Sequence, residues 1–334
     1  MFLMALGIKI TIFVLLGLVL LYAVICIIVG IAFFNIMLRR EKDSYNESTD
    51  PVEFKIVGAE ASDLLPDVKK LKEQQYKTKE LMKGRSYTYL EQTSARGYKL
   101  AGWYFKSSKP NNTECPKVVI FSHGWKSNGM ADASCVGYFY LDSSYDILIV
   151  DHQGNGHSES KYLGFGVEDA KNMLKWVNEV DKMHNGKCEI YLHGVSMGAN
   201  TLMLLNGMDL PASVKGIVAD CGYTSGWDEM SYLVKVRHLG FLFTKQIIWA
   251  LCKMVCHFDL RTSSLESLKH AKVPVLFIHG DKDNFVPPYH SKQNYDACST
   301  KKELKWFSGC YHAGCFVNNQ EEYEKTVLDF FASL

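Results

Sequence analysis

The sequence predicts an α/β protein: a mostly parallel central sheet with helices on both faces, a helical insertion, and one membrane-spanning helix at the N-terminus. Three observations predict it. Short, continuous apolar runs recur between Lys117 and Phe307, most of them ending in glycine or aspartate. Segments with helical spacing separate those runs. One long apolar stretch precedes them all. Strands that are apolar at every residue are buried on both sides, which is the condition of a parallel sheet covered by helices.

From Ile10 to Leu38 no side chain is charged, and Leu, Ile, Val and Phe dominate. About 20 apolar residues suffice to cross a bilayer, whereas the apolar part of a cleavable signal peptide is about 7–15 residues long. Ile25, before Cys26, is too bulky for a lipoprotein cleavage site. The run therefore predicts one uncleaved anchor within residues 1–40. Arg39, Arg40 and Lys42 follow it, and only Lys9 and the terminal amine precede it. The positive-inside tendency then places the rest of the chain in the cytoplasm. Nine of the ten cysteines follow the anchor, so at least one is unpaired within the chain. A chain of 334 residues can bury a core without disulfide staples, so mostly reduced, buried thiols are expected.

Residues 41–85 are polar and predict a tether with a peripheral helix around Leu64–Glu80. Tyr87–Tyr89 and Tyr98–Phe105 predict two strands about a turn at Ala95-Arg96-Gly97. Buried strands follow at Lys117–Gly124, Asp146–Asp151, Cys188–Gly194, Val214–Gly222 and Val273–Asp281, with a weaker last one at Glu303–Phe307. Helical spacing appears at Val167–Met183, Met197–Leu205, Pro288–Ala297 and Glu321–Phe330. In the first of these, Ala170, Leu174, Val177 and Asp181 mark the inward stripe, with Trp176 and Val180 beside it. Between Tyr223 and Leu268 no strand run appears. That stretch, rich in Trp, Leu, Phe and Met, reads as a helical cap over the sheet's carboxyl edge or against the membrane. One α/β domain, residues 86–334, accounts for the chain after the tether.

The chemistry is concentrated after the strands, where ligands bind in parallel α/β sheets. Gly194-Val195-Ser196-Met197-Gly198 places a serine between glycines at a strand-to-helix hinge, the pattern of a nucleophile elbow. A serine hydroxyl needs an imidazole to take its proton, and the imidazole needs a carboxylate to fix its tautomer. His312 is the one histidine after the last strand, and Asp283 lies in the loop after "VPVLFIHG". Asp281, nearer the strand end, suits local capping; Asp220 is a further alternative for the acid. His123, His193 and His279 each precede a strand-end glycine or neighbour one, where packing accounts for them. The oxyanion needs preorganised donors; the amides of Met197 and Trp125 are the candidates, and the Trp125 side chain is a candidate pocket wall.

"HGWKSN", "DHQGNGHS", "GVSMG", "HGDKDNFVP" and the His312 segment resemble the α/β-hydrolase superfamily over residues 85–334. "DCGYTSGWDEM" and the anchor are similar to bacterial membrane-anchored serine hydrolases related to prolyl-oligopeptidase-like and esterase members. The resemblance implies the α/β-hydrolase fold and a serine hydrolase with Ser196, Asp283 and His312 as triad. Gln153 stands where the superfamily usually has arginine, which bears on local packing.

Formal charge excludes little beyond nucleic acid: 37 Lys and Arg against 36 Asp and Glu leave +1, with no basic patch in the sequence. Cys252, Cys256 and His257, or Cys310, His312 and Cys315, lack paired Cys-x-x-Cys spacing, so no metal is implied, nor any organic cofactor. The expected function is a membrane-anchored carboxylesterase or lipase-like enzyme acting on small-molecule esters or acyl substrates. A peptidase or amidase, or a tethered non-catalytic interaction protein, are the alternatives.

Overall fold

The computed structural model describes residues 2–41, 67–112 and 114–334. Eight strands form one sheet: β1 (Tyr87–Thr93), β2 (Lys99–Phe105), β3 (Lys117–Ser122), β4 (Asp146–Val150), β5 (Glu189–Val195), β6 (Val214–Asp220), β7 (Val275–Gly280) and β8 (Lys302–Phe307). Their spatial order is β1-β2-β4-β3-β5-β6-β7-β8. β1 and β2 form a hairpin, β2 pairs antiparallel with β4, and all pairings from β4 to β8 are parallel. β1 continues past Tyr89 to Thr93 because it pairs with β2 along its whole length. β4 lies on one side of β3 and β5 on the other, so the strand order reverses there. The carboxyl ends of β3 and β5 therefore flank the crevice where such sheets bind ligands.

Alternation of side chains sorts each apolar strand onto two faces. Val119, Phe121, Ile147 and Ile149 face a cluster that includes α3 (Gly129–Val136) and α11 (Gln320–Ala332). Val118, Ile120, Leu148 and Val150 face α4 (Val167–Met183) and α5 (Met197–Leu205). Burying both faces is what makes these runs apolar throughout. α4 meets the sheet through Ala170, Met173, Trp176, Val177 and Val180, while Leu174 and Asp181 are only half-buried. Leu174 and Asp181 each lie four residues, about 40° past a full turn, beyond the buried Ala170 and Val177, which puts them at the margin of the face. α3 has no counterpart in the sequence reading. Its small residues carry weak periodicity, and Asn128 caps it by accepting from Ala131 N at 2.8 Å.

α1 (Phe2–Leu38) is one continuous apolar helix. α2 (Val68–Met82) docks on α3, with Gln75 Nε2 donating to Ala131 O and Thr78 Oγ1 to Ser134 O. Residues 42–66, most of the expected tether, lie outside the described residues. Between β6 and β7 the chain forms α6 (Gly226–Val236), α7 (Thr244–Leu251), a π-type turn at Cys252–Cys256 and α8 (Ser264–Leu268). α6 and α7 build a third apolar cluster at the sheet's carboxyl edge, and the last turns of α1 (Phe34, Met37, Leu38) belong to it. No disulfide joins the ten cysteines, and all but the half-buried Cys115 are buried.

Candidate active site

β5 ends at Val195 and α5 begins at Met197, leaving Ser196 alone to turn the chain. Its backbone takes φ 56° and ψ −115°, a costly conformation for a residue with a Cβ. Neighbouring backbone holds it there: Ser196 N donates to Asp220 O at 2.8 Å. The two glycines of the motif are required by close approach. A Cβ on Gly194 would meet the Gly198 backbone at 2.5 Å, and one on Gly198 would meet Ser122 O at 2.0 Å. The elbow thus packs directly on the end of β3. A Cβ on Gly124 would lie 3.5 Å from the Ser196 Cβ, so the loop carrying Trp125 passes beside the serine, opposite the start of α5.

Three far-apart side chains meet at this point. His312 Nε2 lies 2.9 Å from Ser196 Oγ, and His312 Nδ1 lies 2.7 Å from Asp283 Oδ2. A carboxylate only accepts, so Nδ1 carries the proton, and Nε2 is left to accept from the serine hydroxyl. Asp283 is itself over-determined. Its Oδ1 accepts from Phe285 N and Val286 N at 2.9 Å each, and its Oδ2 also accepts from His279 Nε2 at 3.1 Å. Burial alone would raise the Asp283 pKa, but His312 and His279 outweigh it and hold the carboxyl well below the usual range. Ser196, Asp283 and His312 are all buried.

The alternatives for the acid lie elsewhere. Asp281 caps the turn after β8, accepting from Gly309 N at 2.7 Å and Ser308 Oγ at 3.2 Å. Asp220 accepts from Tyr323 OH at 2.8 Å. His279 does more than pack: its Nε2–H also reaches Val286 O at 2.9 Å, and its Nδ1 accepts from Ser291 Oγ at 2.6 Å. Trp125 does not simply wall a pocket. Its indole donates to Met37 O at the end of α1, and its ring lies 6.4 Å from Phe285, which in turn lies 5.0 Å from the His312 ring. Gln153 N donates to Asp169 Oδ1 at 3.2 Å. Burial raises Asp169 to about 7, as befits a carboxyl whose neighbour at 153 is an amide and not a cation.

Among the described residues, one group of His, Cys and carboxylate atoms lies within 4.8 Å: Cys221 with Asp283 and His312. Burial, then Asp220 and Asp283, push the Cys221 thiol well up, so it stays protonated and is a poor ligand. Cys252 and Cys256 pack in the third apolar cluster while His257 is exposed.

Sequence reasoning missed Glu229. It is buried on α6, neither oxygen has a hydrogen-bond partner among the described residues, and it lies 3.8 Å from His290 Nε2, which has none among them either. Burial, then Asp283, push its pKa well up, while burial lowers His290 to about 4. A raised carboxyl contributes stability fully present below its unfolded pKa and lost as pH rises through the folded one. Glu229→Gln should therefore gain Tm relative to the parent as pH goes from 5 to 8. Asp169, at about 7, and Asp220, raised by burial to about 6, lose stability in the same direction in both proteins, so the difference isolates Glu229. A parent that gains on the variant over that range would refute the assignment.

Residues 117–242 match the family described as alpha/beta hydrolase fold, and residues 255–316 match the one described as serine aminopeptidase, S33. The chain has the α/β-hydrolase fold. This α/β hydrolase is 26% identical over 262 residues to the uncharacterized protein YqkD of Bacillus subtilis, covering 75% of this chain and 82% of that one. It is 26% identical to the lysophosphatidylserine lipase ABHD12 of Danio rerio, covering 61% of this chain and 52% of the lipase. It is 25% identical to the uncharacterized membrane protein YNL320W of Saccharomyces cerevisiae, over 74% and 80%. Among solved structures, the Pyrococcus furiosus esterase Pf2001 superposes with a TM-score of 0.57 at 21% identity, over 75% of this chain and 93% of the esterase. The acylaminoacyl peptidase of Pyrococcus horikoshii superposes with 0.58 at 21%, over 76% of this chain and 42% of the peptidase. At that identity the structural likeness concerns the fold alone.

Proposed function

We propose that this α/β hydrolase is a serine carboxylesterase anchored in a membrane by α1, its catalytic domain on the cytoplasmic side. The observation that carries the reaction is the hydrogen-bonded row of Ser196, His312 and Asp283. His312 Nε2 takes the hydroxyl proton as Ser196 Oγ attacks the ester carbonyl. The Met197 amide at the start of α5 and the Trp125 amide in the loop beside Ser196 receive the oxyanion. Collapse breaks the bond to the leaving alcohol, which takes the proton from His312, and leaves an acyl-serine. Water, deprotonated by the same imidazole, attacks that ester, releases the acid and restores the serine. Asp283 keeps the Nδ1 proton and offsets the imidazolium charge throughout.

The anchoring half rests on the apolar helix from Leu6 to Leu38, whose most apolar 18 residues have a mean hydropathy of 3.3, and the sidedness on Arg39, Arg40 and the unpaired cysteines. The match of residues 255–316 to the serine aminopeptidase family favours a second reading, an amidase or peptidase on the same residues. A p-nitrophenyl ester series and a set of aminoacyl p-nitroanilides separate the two. Ester turnover at least tenfold above anilide turnover is expected; the reverse ratio establishes the peptidase. Turnover of neither, with no labelling of Ser196 by a fluorophosphonate probe, overturns both.

A further inference from the structure

α1 is longer than a bilayer requires. Its 37 residues extend about 55 Å at 1.5 Å per residue, against a hydrocarbon core of about 30 Å. Burial divides it. Before Cys26 every described side chain is exposed; from there Cys26, Gly30, Phe34, Met37 and Leu38 are buried. Their spacing of three to four residues puts them on one face. That face lies on α7: the place a Gly30 Cβ would occupy is 2.5 Å from Ile247 Cγ2. At the end of the helix Leu163 N donates to Leu38 O at 2.8 Å, Arg40 N to Lys161 O at 3.0 Å, and the Arg40 guanidinium to Ser158 O at 2.8 Å. The span is therefore continuous with the catalytic domain, with no slack between them.

The uncovered part, residues 2–25, is about 36 Å long, close to one hydrocarbon thickness. The bilayer surface then falls near Tyr22, whose ring lies 6.5 Å from that of Phe243, edge to face. Phe243 is exposed at the corner between α6 and α7. Its surroundings are basic and apolar. Between Ser231 and Arg261 the chain has five Lys and Arg and one acidic residue, Asp259, the latter paired with Lys253 at 3.4 Å. Exposed Val236 sits between exposed Lys235 and Arg237, and exposed Met254 and Val255 follow exposed Lys253. Apolar side chains flanked by cations, joined to a spanning helix, are the chemistry of an anionic bilayer surface.

Building on the anchored-esterase reading, we infer that the α6–α7 cap rests on anionic headgroups of the bilayer that α1 crosses, and that acyl-lipid esters reach Ser196 from that bilayer. Lys235, Arg237 and Lys253 meet the phosphates, and Phe243 enters the interface beside Tyr22. The same elements wall the reaction centre: Met197, next to Ser196, is packed in one cluster with Leu38 and Ile248, and Trp125 hangs from Met37 O. The path from the bilayer to the nucleophile therefore runs along the wall that α1 and α7 form.

The full-length protein in nanodiscs, of phosphatidylcholine alone or with 30% phosphatidylglycerol, tests this. Lipids brominated near the headgroup should quench the added fluorescence of Phe243→Trp over the parent, more in the anionic discs. The triple variant Lys235→Glu, Arg237→Glu, Lys253→Glu should at least halve that quenching and slow hydrolysis of disc-borne 4-methylumbelliferyl palmitate about fivefold, while p-nitrophenyl acetate turnover stays within twofold. An unquenched tryptophan at 243, or quenching indifferent to the triple variant, overturns the inference. A tryptophan shielded from both bromines and acrylamide means that a protein covers the corner, and overturns it too. Quenching intact without p-nitrophenyl acetate turnover sinks the esterase reading and leaves the docking standing.

Discussion

Replacing Ser196 with alanine should lower kcat on p-nitrophenyl esters by about 10⁴- to 10⁶-fold, the scale seen when a serine hydrolase loses its nucleophile, with little change in stability. The two halves of that expectation have separate physical causes. The elbow is held by backbone: Ser196 N on Asp220 O, and the close approach of Gly194 to Gly198 and of Gly198 to Ser122 O. Alanine keeps the Cβ and every one of those contacts, including the positive φ. What disappears is one hydroxyl, whose hydrogen bond goes to His312 Nε2 at 2.9 Å. Leaving that nitrogen unpaired costs about 1–3 kcal/mol at most, a few degrees in Tm. Chemistry, in contrast, loses the atom that forms the acyl bond. Fluorophosphonate labelling of the parent and its absence in Ser196→Ala should accompany the kinetic loss. Activity within tenfold of the parent, or label retained in the variant, would show that another residue is the nucleophile.

The strands were legible because a strand buried on both faces must be apolar at every position, and the runs at 117, 146, 189, 214 and 275 have no other use. The ends of α4 and α5 were legible for a related reason, since each follows a strand whose polar punctuation marks where burial stops. Chain order placed Ser196, Asp283 and His312 after the ends of β5, β7 and β8, and the parallel sheet brings those ends to one edge. Other features leave no such trace. From Ile12 to Phe34 of α1 no side chain is charged and nearly all are apolar, so the stripe of Cys26, Gly30, Phe34 and Leu38 that meets α7 is invisible against its background. Glu229 and His290 are separated by the whole α7–β7 segment, and nothing local marks either as buried. The second role of His279 was hidden because its partner, Asp283, is four residues on, in a loop whose conformation the two amides at 285 and 286 decide.

Asp283→Asn should cost about 10⁴-fold in kcat, comparable to the loss of the equivalent carboxylate in a serine protease triad. The reason lies in donor counting. Asp283 accepts four hydrogen bonds, two at Oδ1 from the Phe285 and Val286 amides and two at Oδ2 from His279 and His312. Asparagine has one carbonyl oxygen and one NH₂ group. With the oxygen kept on the two loop amides, the NH₂ faces His312 Nδ1, which can then no longer present a proton. The imidazole answers by moving its proton to Nε2, the nitrogen facing Ser196, and the base for the hydroxyl is gone. His279 suffers less, because Val286 O at 2.9 Å still accepts from its Nε2, so the fold should survive and the fluorophosphonate rate should fall with kcat. Asp220→Asn is the control. That carboxyl binds Tyr323 and not His312, and a loss below tenfold is expected. Equal losses in the two variants, or an Asp283→Asn enzyme within tenfold of the parent, would remove Asp283 from the reaction and with it the tautomer that the whole row depends on.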